Sequence, residues 1–160
     1  MAALFMTIDQ QLQNLIENAP PGASLEEAIQ VVSPVIRNVA RQLQHLEYYI
    51  LQTVNGQWLQ ATIAHKDNPA QPKQVIYAYA SLSSAAKDKL AASNPNLMAI
   101  PVPVAQLLFQ LPSISPVDSL IFLETEARDQ AIEVRRDDIK TMFYNRLSQQ
   151  AKPQVPPNMA

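Results

Sequence analysis

The segment Glu47–Ala64, EYYILQTVNGQWLQATIA, decides how this chain is read. Tyr, Ile, Val, Thr and Trp, which fit a pleated and half-buried surface, stand on both sides of Asn55-Gly56. Asn and Gly tolerate the positive φ of a type I′ turn, so the segment is expected to be a β-hairpin. A two-residue loop pairs Val54 with Gln57. Counting outward with a period of two then puts Tyr48, Ile50, Val54, Leu59, Ala61 and Ile63 on one face, the expected core side. The opposite face carries Tyr49, Leu51, Thr53, Trp58, Gln60 and Thr62, too mixed for a core and too aromatic for an ordinary wet surface. Tyr49, Leu51 and Trp58 are therefore the candidate partner-binding residues, with a helix of the same chain as the alternative cover for that face.

Outward from the hairpin, the pattern turns helical on the N-terminal side. Thr7 and Gln10 have the spacing of a capping box before Ile8, Leu12, Leu15 and Ile16, and Pro20-Pro21-Gly22 stops that helix. Ser24 and Glu27 repeat the capping logic ahead of Leu25, Ile29, Val32, Ile36, Val39, Leu43 and Leu46, spaced by four and three. Pro34 lies inside this run, so the helix either kinks there or Ser33 caps a second helix. On the other side, a loop with Pro69 and Pro72 leads to a third strand at Gln74–Ala80. Ser81 caps a small-residue helix over 82–92, and Pro101 and Pro103 hold an extended approach to a short helix at Val104–Leu111. The apolar run Leu120–Leu123 suits a strand covered on both faces, Ala131–Arg135 alternates as its hairpin partner, and Asp137 caps a final helix carrying Ile139, Met142, Phe143 and Leu147.

The expected class is α+β: helix, three strands, helix, two strands, helix, forming an antiparallel five-stranded sheet covered by helices. Residues 1–23 are an extra N-terminal helix and linker, 24–150 a single α+β domain, and 151–160, with three prolines, a disordered tail. A length of 160 residues with 48% hydrophobic content suits one core.

The same composition excludes several chemistries. Twelve Lys and Arg against fourteen Asp and Glu leave no basic excess for nucleic-acid phosphates or anionic lipid. Cysteine is absent, which removes thiolate catalysis and Cys-ligated metals. Both glycines, Gly22 and Gly56, serve turns, so no glycine-rich phosphate cradle can be assembled. His45 and His65 bracket the hairpin region but need two further ligands to hold zinc. Glu124, Glu126, Asp129, Glu133, Asp137 and Asp138 are interleaved with Arg128, Arg135 and Arg136, as a solvated turn and helix start require. Arg37 and Arg41 suit an acidic partner or a wet helix face equally. No catalytic, cofactor-binding or metal residue is expected. Met1–Met6 lacks the basic and apolar runs of a signal peptide, and no stretch is long enough to span a bilayer, so a cytoplasmic protein without membrane insertion is expected.

The segment Val104–Leu111 is apolar on nearly all sides, so Leu107, Leu108, Phe109 and Leu111 are either buried centrally or the candidate dimer interface. The element order from Ser24 to Gln150 resembles the secretion-chaperone-like fold shared by type III secretion chaperones and YbjN-like proteins. That resemblance is topological and rests on no motif. It implies binding without catalysis, since the chaperones are homodimers that hold extended segments of client proteins. The expected function is a non-enzymatic, chaperone-like or adaptor protein, homodimeric and binding another polypeptide. The alternative is a regulatory domain holding a small ligand between sheet and helices, with Tyr77, Tyr79, Arg37 or Arg41 supplying polar contacts.

Overall fold

The computed structural model describes residues 6–20, 24–64, 70–127 and 129–151. In chain order the elements are α1 (Ile8–Glu17), α2 (Leu25–Ala40), β1 (Glu47–Gln52), β2 (Ala61–Ile63), β3 (Lys73–Tyr79), α3 (Leu82–Ala86) and α4 (Lys89–Ser93). They continue with β4 (Met98–Pro103), α5 (Val104–Gln110), a 3-10 turn at Leu111–Ser113, β5 (Ser119–Leu123), β6 (Ala131–Arg135) and α6 (Arg136–Ala151). The class is α+β. His65, Gly22 and Arg128 lie outside the described residues, as does the expected tail beyond Ala151.

The strand order is β4-β1-β3-β5-β6, and β2 pairs with β3. β1 and β2 share one side of β3: Tyr49 of β1 opposes Tyr79, while Ala61–Ile63 opposes Val75–Lys73. Two features correct the expected five-stranded antiparallel sheet. First, β3 and β5 run parallel, from Val75 opposite Ser119 to Tyr79 opposite Leu123, so the sheet is mixed. Second, the extended approach at Pro101 and Pro103 is itself a strand, β4, antiparallel to β1. Proline cannot donate to a ladder, which masks a strand in sequence, but an edge strand tolerates it.

Helix boundaries follow local chemistry. Thr7 and Gln10 make both bonds of the capping box, at 2.9 and 3.2 Å. Ser24 makes no side-chain cap bond, and α2 runs through Pro34 as one helix before ending at Ala40, short of Leu46. The helix expected over 82–92 divides at Asp88, whose extended backbone ends one turn and whose carboxylate accepts the Leu90 N–H at 2.9 Å to start α4.

The principal core lies between the sheet and α1, α2, α5 and α6, with Ile36, Tyr48, Ile50, Ile76, Leu120, Phe122 and Ile139 inside it. α1 belongs to this body, because Leu12 is buried in it. Leu107, Leu108 and Leu111 are fully buried there too, and half-buried Phe109 stands 6.4 Å from Phe143, ring centre to ring centre. Of the two alternatives for this segment, central burial holds.

The hairpin turns at Asn55-Gly56 with a different loop. The Gly56 N–H donates to Thr53 O at 2.9 Å and the Thr53 N–H to Gln57 O at 2.8 Å, closing a three-residue loop in which Gly56 has φ +81°. A left-handed glycine after a turn adds one residue to the second arm as a bulge. Gln52 therefore opposes Trp58, and the Leu59 N–H donates to Leu51 O at 2.8 Å. A slip of one residue exchanges the faces of a strand. Trp58 thus packs on the helix side with Tyr48 and Ile50, whereas Leu59 joins Tyr49 and Leu51 on the other side.

Two substitutions check this loop. A Cβ on Gly56 meets nothing within 4 Å, so Gly56→Ala is expected to cost only its left-handed strain, about 1–2 kcal/mol in urea unfolding. Trp58→Ala is expected to lower stability by about 2 kcal/mol, since it empties a half-buried site against the core. A Trp58→Ala protein as stable as the parent would put the indole back on an open face.

Candidate binding face

The sheet side away from the main core is built in cross-strand rows. Pro101, Tyr49, Tyr79, Leu123 and Ala131 form one row, Tyr77, Ile121 and Glu133 the next, and Ala61, Val75, Ser119 and Arg135 a third. Side chains in such rows stand about 4.5–5.5 Å apart and interact directly. α3 covers the first row: Ala85 seals Leu51, Tyr79 and Leu123 into a second, smaller core. The second row is left half-covered. Tyr49, Leu59, Tyr77 and Ile121 pack beside this small core while remaining partly exposed, and Leu90 of α4 flanks Leu59 and Tyr77. Leu82, Leu90 and Met98 add exposed apolar surface around α3 and α4.

Beyond Ile121 the strip opens into a groove of about 710 Å³, lined by Ile63, Pro72, Lys73, Asp118, Glu133 and Arg135 among others. Across its floor Lys73 of β3 pairs with the Glu133 carboxylate of β6, which also accepts the Ser119 hydroxyl of β5. Three strands are thereby tied from above at the point where the apolar strip ends. Apolar surface beside fixed charges of both signs suits the backbone and mixed side chains of a polypeptide.

The expected partner-binding residues separate on this geometry. Tyr49 is half-buried on the open face, Leu51 is only 3% exposed beneath α3, and Trp58 lies on the opposite side of the sheet. The alternative cover, a helix of the same chain, thus accounts for Leu51 alone. Tyr77 belongs to the open strip, whereas Tyr79 is buried and donates its hydroxyl to Asp88 at 2.7 Å. Arg37 pairs with Asp9 at 2.7 Å, across α2 and α1 and away from this face.

Two buried polar groups escaped the sequence reading. Glu124, at the end of β5, is 3% exposed; it accepts the Tyr48 hydroxyl and the Gln44 N–H at 2.7 Å, and its carbonyl lies 2.9 Å from Nε2 of His45. A carboxylate directly after a doubly buried strand was the available signal, lost among the neighbouring solvated charges. Gln11 of α1 donates to Leu46 O at 2.8 Å and accepts the Ala105 N–H at 2.9 Å, joining α1 to the end of the β1–β4 pair where β1 begins and β4 finishes. Neither amide nor carboxylate opens onto this half-covered face. Among the described residues no three His, Asp or Glu side chains converge as metal ligands, and no helix is long and apolar enough to cross a membrane.

The chain matches no family model, no curated protein and no solved structure.

The Glu124 network makes a pH prediction. Burial, followed by the hydrogen bond to Glu124 and its charge, pushes the Tyr48 hydroxyl far above the ordinary value of 10.0. A group with a raised folded pKa contributes stability that is complete below its unfolded pKa and lost as pH rises. Stability should therefore fall above about pH 10 with a slope that Tyr48→Phe reduces. Glu124→Ala, which strands the Gln44 N–H and Tyr48 hydroxyl, should cost about 3 kcal/mol in denaturant unfolding at pH 7.

Proposed function

We propose that this protein binds other polypeptides without chemical turnover, as a chaperone-like or adaptor protein that works as a homodimer. The observation that carries the reading is the half-covered strip of Tyr49, Leu59, Tyr77 and Ile121 leading into the charged groove. α3 and α4 are each five residues long and cover only part of the sheet that a longer helix pair would seal. An extended client segment fits such a surface because it brings alternating side chains to a flat array of rows, and its charges meet Lys73, Glu133 and Arg135. The resemblance in element order to secretion chaperones supports the same reading, with β4 as one strand more than that order contains.

The groove favours a second reading, a regulatory domain taking a small ligand, since about 710 Å³ falls within the usual ~300–1,000 Å³ of ligand pockets. The two readings differ in the length of what binds.

Fluorescence anisotropy against a set of labelled extended peptides, apolar residues alternating with mixed charges, tests the proposal. Tyr77→Asp and Ile121→Glu should each weaken binding about tenfold or more by placing a charge in the apolar strip, with melting temperature nearly unchanged. Peptides that fail to bind, alongside a thermal shift from small anions or zwitterions, would transfer the site to the second reading.

A further inference from the structure

The two lateral edges of the sheet are built differently. On the β4 edge, Val104 donates its N–H to Leu46 O at 3.0 Å. Alternation along the ladder then turns the backbone groups of Ile100 and Val102 toward β1 and those of Ala99, Pro101 and Pro103 outward. Two of these three outward positions have no N–H to offer, so this edge is a poor template for another strand. On the β6 edge, the Glu124 N–H donates to Gln130 O and the Arg136 N–H to Asp118 O, both at 2.9 Å. Ile132 and Val134 therefore face β5, and Ala131, Glu133 and Arg135 direct their N–H and C=O groups away from the sheet. None of the three is proline, and among the described residues no strand pairs with this side of β6.

The side chains on this edge select its occupant. Arg135 is exposed and has no ion pair among the described residues, and Glu133 is its neighbour on the same face. Antiparallel pairing of β6 with a second β6 allows only outward residues to oppose outward residues. With the two-fold axis at Glu133, like carboxylates stand directly opposite, which is unfavourable. With the axis at Ile132, Glu133 meets only Ala131. With the axis at Val134, Glu133 of each chain meets the partner subunit's Arg135, forming two complementary pairs on one face and a Val134 contact on the other. Of these three registers, it alone pairs opposite charges within Ala131–Arg135.

We infer that β6 is the contact edge of a homodimer, in which two copies pair antiparallel with Glu133 of each opposite the partner subunit's Arg135, joining two sheets into one. This contact uses none of Leu107, Leu108 and Leu111, which the core consumes. It concerns the homodimeric part of the function proposed above and shares Glu133 and Arg135 with the groove, whereas Tyr49, Leu59, Tyr77 and Ile121 take no part in it.

Sedimentation velocity of the full chain at low salt, without peptide, reads the assembly directly. A dimer is expected. Arg135→Glu sets carboxylate against carboxylate twice and should raise the dissociation constant about tenfold or more. Arg135→Pro removes an outward N–H, imitates the β4 edge and should also dissociate the dimer, with circular dichroism verifying that each variant folds. A parent chain that is monomeric throughout, or a dimer indifferent to Arg135→Glu and Arg135→Pro, would overturn the inference. Because no peptide is present, such a failure leaves the open-face reading untouched, and loss of peptide binding in Tyr77→Asp leaves the dimer untouched.

Discussion

Parallel neighbours cannot be joined by a tight turn, and the pairing of β3 with β5 therefore governs everything between them. From Ala80 to Asp118 the chain passes over one face of the sheet as α3 and α4, adds β4 to the far side of β1, and returns beneath the other face as α5. One excursion thus supplies the cover of both faces and guards one edge. Asp118 secures its end: its N–H and carboxylate bond the backbone of Gln74 on β3, and its carbonyl accepts the Arg136 N–H after β6. Three strands are aligned at a single residue.

The cover is unequal, and that inequality gives the molecule its surface chemistry. α2 and α6 are sixteen residues each and, with α1 and α5, bury most of one face, while two five-residue helices protect a smaller part of the other. Half-buried tyrosine and aliphatic side chains remain there because the turn at Asp88 interrupts what periodicity would make one longer helix. The interior, by contrast, contains polar groups that are fully answered. Gln11 and Glu124 each close backbone groups beside the start of β1, where a buried N–H or C=O without a partner would cost about 1–3 kcal/mol. These bonds fix how the helical layer sits on the sheet, a matter on which apolar packing alone is less selective.

Much was legible without coordinates. The α+β class, the first helix and its capping box, the strands at Gln74–Ala80, Leu120–Leu123 and Ala131–Arg135, and the pairing of the last two follow from local chemistry, and each is present. Periodicity and capping act over a few residues, so they survive reading one residue at a time. The open face was legible only in part. Tyr49 and Tyr77 were singled out and lie on it, whereas Leu59 and Ile121 were assigned to core or strand and Trp58 to the wrong side.

The sequence by itself determined that a hairpin turns at Asn55-Gly56 and that its arms are strands, because only such residues tolerate that backbone. Tertiary structure alone decided the loop length, since a two-residue and a three-residue loop both satisfy Asn-Gly, and the choice falls to which register buries Trp58 against Tyr48 and Ile50. It also decided strand direction and edge identity, which depend on contacts between residues far apart in the chain. A run such as Leu120–Leu123 fits a parallel or an antiparallel neighbour equally well, and only the assembled sheet sets β3 beside it.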